Sequence, residues 1–172
     1  SPNVMVTAGA YTKLQVILPG EAAAPGTTLG KTGTPAAIPA GTPISIRVNA
    51  VDNYWNVVSN THNITLTTDN ANATMPAAAN LVNGTRNFTG VTLRTIGAAT
   101  ITATNNTVAG NLVSNVNVVA GAFVKLQLLL PGETAAPGTI TGKTGAPTAR
   151  VAGVPFPITV NAVDASWNVI TS

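Results

Sequence analysis

The chain contains a copy of part of itself. Residues 120–172 repeat residues 8–60 without a gap, at an offset of 112 positions. Ala8-Gly9-Ala10 returns as Ala120-Gly121-Ala122, and Leu18-Pro19-Gly20-Glu21 as Leu130-Pro131-Gly132-Glu133. Gly30-Lys31-Thr32-Gly33 returns as Gly142-Lys143-Thr144-Gly145. Asn49-Ala50-Val51-Asp52 returns as Asn161-Ala162-Val163-Asp164, and Trp55-Asn56-Val57 as Trp167-Asn168-Val169. About three aligned positions in five are identical. The period exceeds the roughly 20–50 residues of a solenoid repeat and matches one small domain of about 100–150 residues. Residues 1–7 align with residues 113–119. The expected division is therefore the end of a preceding repeat or linker over 1–7, a complete unit over 8–118, and the first half of a second unit over 119–172. This reading expects the natural protein to extend beyond both ends.

The strand pattern follows the repeat. Residues 44–51 alternate, with Ile44, Ile46 and Val48 on one face and Ser45, Arg47 and Asn49 on the other, the period of a half-buried strand. Residues 11–18, 64–68, 88–93, 100–104 and 113–119 read as further strands, and Val57-Val58 begins another. Turn residues separate them at Asp52-Asn53, Asp69-Asn70, Asn83-Gly84, Ile96-Gly97 and Asn105-Asn106. No amphipathic helical stretch of about ten residues or more is present. About seven short strands at this spacing predict an all-β sandwich repeated in tandem. Residues 19–41, with four prolines and five glycines, show no strand pattern and read as a long loop.

Composition then excludes several classes. Charged residues are 8% of the chain, and the net charge of +3 comes from 8 Lys and Arg against 5 Asp and Glu. Charge so thinly spread makes no basic patch, which argues against a nucleic-acid partner. No apolar run approaches the about 18 residues of a membrane helix, so no membrane insertion is expected in this stretch. The chain has no cysteine, so disulfides do not hold the fold.

The succession of Ala40-Gly41-Thr42-Pro43, a strand ending in Ala50-Val51-Asp52, Asn56-Val57-Val58 and the late Gly-x-x-Thr-Ile-Thr-Ala-Thr motif at residues 97–104 resembles the Ig-like repeats of bacterial surface proteins, of the invasin/intimin and filamin-like kind. The likeness covers about residues 38–118 and 150–172. It departs at Trp55 and Trp167, where that family often carries Gly, and in the long 19–41 segment. The resemblance implies tandem Ig-like sandwiches in a secreted stalk or adhesin.

Motifs that suggest chemistry mostly dissolve on inspection. The glycine-rich runs at residues 26–32 and 138–144 have one residue too few for a phosphate loop, and Pro25 and Pro137 stand where its first Gly belongs. Asp52, Asn53 and Asn56 form a weak calcium candidate with a single carboxylate, and a hydrogen-bonded turn explains them as well. Ala165 replaces Asn53 in the second copy. His62, the only histidine, has no sequence neighbours that would complete a triad or zinc site. No cofactor, resident metal or catalytic residue is expected, and the chain is read as no enzyme. Lys13 with Glu21, and Lys125 with Glu133, raise the idea of an intramolecular isopeptide crosslink. Asn63, Asn72, Asn83, Asn87 and Asn105 lie in Asn-x-Thr triplets and are candidate glycan acceptors.

The function expected is architectural: a structural repeat of an extracellular fibre, stalk or surface-layer protein that stacks head to tail and associates with copies of itself. Residues 113–122 would form the link between units. Pro19, Glu21, Pro25, Lys31, Pro35, Trp55 and Trp167 are the interface candidates. A low-charge, proline-bearing surface costs less to desolvate and to order on docking. The alternative is a cell-surface adhesin module that recognises carbohydrate or a host receptor through loops at the sandwich end, with an exposed Trp55 as its stacking platform.

Overall fold

β-branched and aliphatic residues at alternate positions build two sheets that share one apolar layer. The structure, a computed structural model, describes residues 3–105 and 112–171. Asn106 of the expected Asn105-Asn106 turn lies outside the described residues, as do Ser1, Pro2 and Ser172. Strands β1 (Lys13–Ile17), β5 (Pro43–Val51) and β8 (Thr85–Thr92) form an antiparallel sheet in the order β1-β5-β8. The second sheet has the order β4-β10-β9-β6-β7, from β4 (Ile38–Pro39), β10 (Leu112–Val119), β9 (Gly97–Thr104), β6 (Asn63–Thr68) and β7 (Ala79–Asn80). Its pairings are antiparallel except β4 with β10, where Ile38 faces Val118 in parallel register.

Leu14, Val16, Ile46, Val48, Phe88 and Val91 point from the first sheet toward Ile64, Leu66, Ile101, Ala103, Val116 and Val118 of the second. All are buried. Each large side chain removed from water in this layer contributes about 1.5–3 kcal/mol. The described residues are thus all-β, and residues 13–105 with 112–119 form a β-sandwich with its own core. No helix occurs among the described residues.

Four local expectations need correction. Residues 19–41 are not a loop without strands. Strands β2 (Glu21–Ala23) and β3 (Lys31–Gly33) pair as an antiparallel hairpin, and β4 follows. Gly97 belongs to β9 rather than to a turn, and Val57 makes a single bridge to Val51 instead of opening a strand. Asn49 does not face solvent: only 1% of its surface is exposed. The β2–β3 hairpin lies over that outer face of the sheet, where the buried Gln15 side chain donates to Gly30 O at 2.6 Å and Asn49 donates to Gln15 Oε1 at 2.8 Å.

The second copy repeats the first-sheet portion of this plan. Strands β11 (Lys125–Leu129) and β14 (Thr159–Val163) pair as β1 does with β5, and β12 (Glu133–Ala135) pairs with β13 (Lys143–Gly145) as a hairpin. The polar pins recur: Gln127 donates to Gly142 O at 2.7 Å, and Asn161 to Gln127 Oε1 at 2.8 Å. The apolar face does not become a core. Leu126 is 64% exposed and Val160 54%, where their counterparts Leu14 and Val48 are at 1% and 0%.

Candidate functional site

An aspartate followed by a short polar stretch favours a turn in which the carboxylate accepts backbone N–H groups. That turn occurs twice. Asp52 accepts from Gly9 N (2.8 Å), Tyr54 N (2.8 Å) and Asn56 N (2.9 Å), and from the Asn56 amide at 3.1 Å. Asp164 accepts from Gly121 N (2.9 Å), Ser166 N (2.8 Å), Asn168 N (2.9 Å) and the Asn168 amide at 2.9 Å. Each carboxylate ties the start of its unit to the far end of the β5 or β14 strand.

The Gly9 N–H is the main cause that holds the Asp52 carboxyl down at about 2; burial opposes this, and the Asn56 and Tyr54 donors reinforce it. The oxygens of the calcium candidate Asp52 therefore point at N–H donors, a geometry that suits a turn and repels a cation. Among the described residues, no group of three or more His, Cys, Asp or Glu is placed to hold a metal ion.

The turn forces an unusual backbone. Trp55 and Trp167 adopt φ of 70° and 69°, the left-handed region that suits Gly and disfavours a bulky side chain. Here each indole is half-buried. The Lys13 ammonium sits 3.5 Å from the Trp55 ring centroid, and Lys125 sits 3.4 Å from that of Trp167. The ring of Trp55 lies against Gly30 so closely that a β-carbon there would overlap it; Trp167 and Gly142 repeat the contact.

The remaining candidates are placed as follows. Glu21 pairs with Lys31 at 2.8 Å and also accepts from Leu18 N at 3.0 Å, while Lys31 reaches Ser114 Oγ at 3.0 Å. Glu133 pairs with Lys143 at 2.7 Å; the Leu130 N–H, then Lys143, holds its carboxyl below the usual range. Lys13 instead donates to Asn53 O at 3.3 Å, so Glu21 and Lys13 have separate partners. Pro19 and Pro35 are half-buried and Pro25 exposed. His62 packs on Tyr11, ring centroids 5.4 Å apart. Asn72, Asn83 and Asn87 are exposed, Asn63 is exposed and donates to Asn80 at 2.8 Å, and Asn105 donates to the Tyr11 hydroxyl at 2.7 Å.

The two copies of the turn differ in what covers them. Asn168 is 1% exposed. Its amide donates to Arg94 O at 2.8 Å, and its carbonyl accepts from Ile96 N at 3.2 Å. The receiving turn, residues 94–96, is stiffened from behind. Asn70 accepts from Arg94 N at 2.9 Å and donates to Thr95 O at 2.7 Å, and the Arg94 guanidinium reaches Thr74 Oγ1 at 2.7 Å. Gly138 is buried at the same contact, where a β-carbon would stand 2.7 Å from Thr95 Oγ1. Ala40 N donates to Val119 O at 2.8 Å and Gly41 N to Leu93 O at 2.7 Å, which closes the end of the first unit beneath Gly121 and Ser166. Sequence reasoning did not pick out Asn70, Arg94, Ile96 or Asn168 as partners. The only signal available was that Asn168 recurs as Asn56.

No protein-family model and no curated protein sequence matches the chain. Among solved structures, the chain is similar to the S-layer protein rSbsC(31-844), at 21% identity and a TM-score of 0.45. The match covers 98% of this chain and 18% of that one.

Proposed function

We propose that this chain is a structural segment of an extracellular tandem array, in which Ig-like β-sandwich units join head to tail and build a fibre, stalk or surface layer. Residues 8–118 are one unit, and residues 119–172 are the first half of the next. The exposed apolar face of β11 and β14 is read as half of a core that strands equivalent to β6–β10 complete. The segment is non-catalytic and acts by holding consecutive sandwiches in a set orientation.

The observation that carries this reading is the junction. The linker between units is not slack: Asp164 ties Gly121, and Asn168 bridges to Arg94 and Ile96. Flexibly tethered domains would not hold such part-buried hydrogen bonds there. NMR relaxation and residual dipolar couplings on the whole chain test it. A single alignment tensor for residues 13–119 and 125–169 is expected, and two independent tensors would refute a set orientation.

The carbohydrate-binding alternative draws no support from Trp55, because Gly30 and the Lys13 ammonium lie against its ring.

A further inference from the structure

The first unit displays, uncovered, the same face that the second unit has buried in the junction. Asn56 matches Asn168, and both amides are held on their aspartates. Asn168 spends its outward atoms on Arg94 and Ile96. Asn56 is half-buried, and its hydrogen bonds are to Asp52. Gly26 matches Gly138, with φ of 80° and 81°. Gly138 packs on Thr95, whereas nothing lies within 4 Å of where a β-carbon of Gly26 would stand. The supporting bond is repeated too: Gly26 N donates to Tyr54 O at 2.7 Å, as Gly138 N does to Ser166 O at 2.6 Å. An open hollow of about 340 Å³, lined in part by Thr7, Gly9, Asp52, Tyr54 and Asn56, marks this end of the unit.

We infer that the end of the first unit formed by Gly9, Gly26, Tyr54 and Asn56 is a docking face for another unit of the same repeat, which presents its counterpart of the Asn70-braced turn at residues 94–96. The inference rests on the serial reading above and adds the contact surface. The occupant is argued from continuity with the junction inside the chain. In sequence, residues 3–7 precede Gly9 as residues 115–119 precede Gly121, so a unit placed upstream would reach this face through the same linker positions. The Asn56 amide would donate to the carbonyl matching Arg94 O, and its carbonyl would accept from the N–H matching Ile96 N. One difference is built in. Tyr54, 72% exposed, stands where Ser166 stands beside Gly41. Ser166 is buried there, with its Oγ 3.1 Å from where a β-carbon of Gly41 would stand, so the larger tyrosine ring has to lie across the rim of the incoming Gly41 counterpart, where it removes apolar surface from water that the serine lacks.

The test is a three-unit chain in which residues 8–119, which hold the Leu14–Val118 core cluster, are placed directly before residues 8–172. In it the natural passage from residue 119 to 120 becomes 119 to 8. Hydrogen exchange and side-chain amide NMR report on both asparagines. The expected result is that the Asn56 amide moves toward the shifts of Asn168 and that the Tyr54 and Asn56 N–H groups gain at least about tenfold protection. Thr95→Arg in the added copy alone should abolish both changes, because that side chain would enter the space above Gly26. Asn56 signals unchanged from the two-unit chain, while Asn168 keeps its own shifts, would overturn the inference and leave the serial reading standing. Loss of the Asn168 signature in the parent chain would count against the serial reading itself.

Discussion

A tryptophan at φ near 70° pays a conformational cost twice in one chain, at Trp55 and at Trp167. The compensation is local: an indole laid on Gly30 or Gly142, under a lysine ammonium. Gly30 itself is at φ 72°, so a side chain there is disfavoured by its backbone and by the indole together. Gly30→Ala should therefore lower stability by about 2–4 kcal/mol in urea unfolding, whereas Gly26→Ala, equally left-handed but open above, should lose only about 1–2 kcal/mol. Asp52 adds a pH signature. Its folded carboxyl sits near 2, below the ordinary unfolded value near 4, so its contribution is complete above about pH 4 and is lost as pH falls toward about 2. The melting temperature should fall across that window, and Asp52→Asn should flatten the part of the fall that this group causes.

At the scale of elements, the β2–β3 hairpin shows where the sequence was legible and where it was not. Strands β6 and β9 were visible because apolar residues recur at every second position, and β5 because Ile44, Ile46 and Val48 do the same; in β8 the buried Phe88 and Val91 stand three apart. The hairpin was hidden. Glu21-Ala22-Ala23 and Lys31-Thr32-Gly33 carry no apolar alternation, since the hairpin is held by Gln15 and by the Glu21–Lys31 pair rather than by a buried stripe. The burial of Asn49 was missed for the same reason: its polarity marked it as outward, and the covering hairpin makes outward a buried direction. Gln15→Ala strands the buried Asn49 amide N–H and removes one of the two hydrogen bonds to Gly30 O, which keeps that from Ala24 N. The expected loss is about 1–3 kcal/mol, with faster amide exchange in residues 21–33 than in β5. Gln127→Ala should loosen β12 and β13 and leave the first unit unaffected.

Across the whole molecule the two halves bury their apolar residues very unequally. The described core lies between Leu14 and Val118, while the β11–β14 face leaves Leu126, Leu128, Ile158 and Val160 open to water. The chain should accordingly bind a hydrophobic dye such as anilinonaphthalene sulfonate, and residues 1–119 alone should bind several-fold less, read by fluorescence at equal concentration. The all-β plan was legible at this scale. The junction was not, because Asn168 meets Arg94 across 74 positions of sequence and neither residue belongs to a patterned strand.

The aspartate that pins Gly9 and the one that pins Gly121 hold equivalent points of successive units in the same way. A step from one unit to the next that is fixed at both ends is a single rotation and translation. Applied over and over, such an operation winds a straight series of beads into a helix whose pitch is written in one joint. In the proposed serial array, a change as small as one side chain at Asn168 or Thr95 would then alter the pitch of the whole, with every individual sandwich left intact.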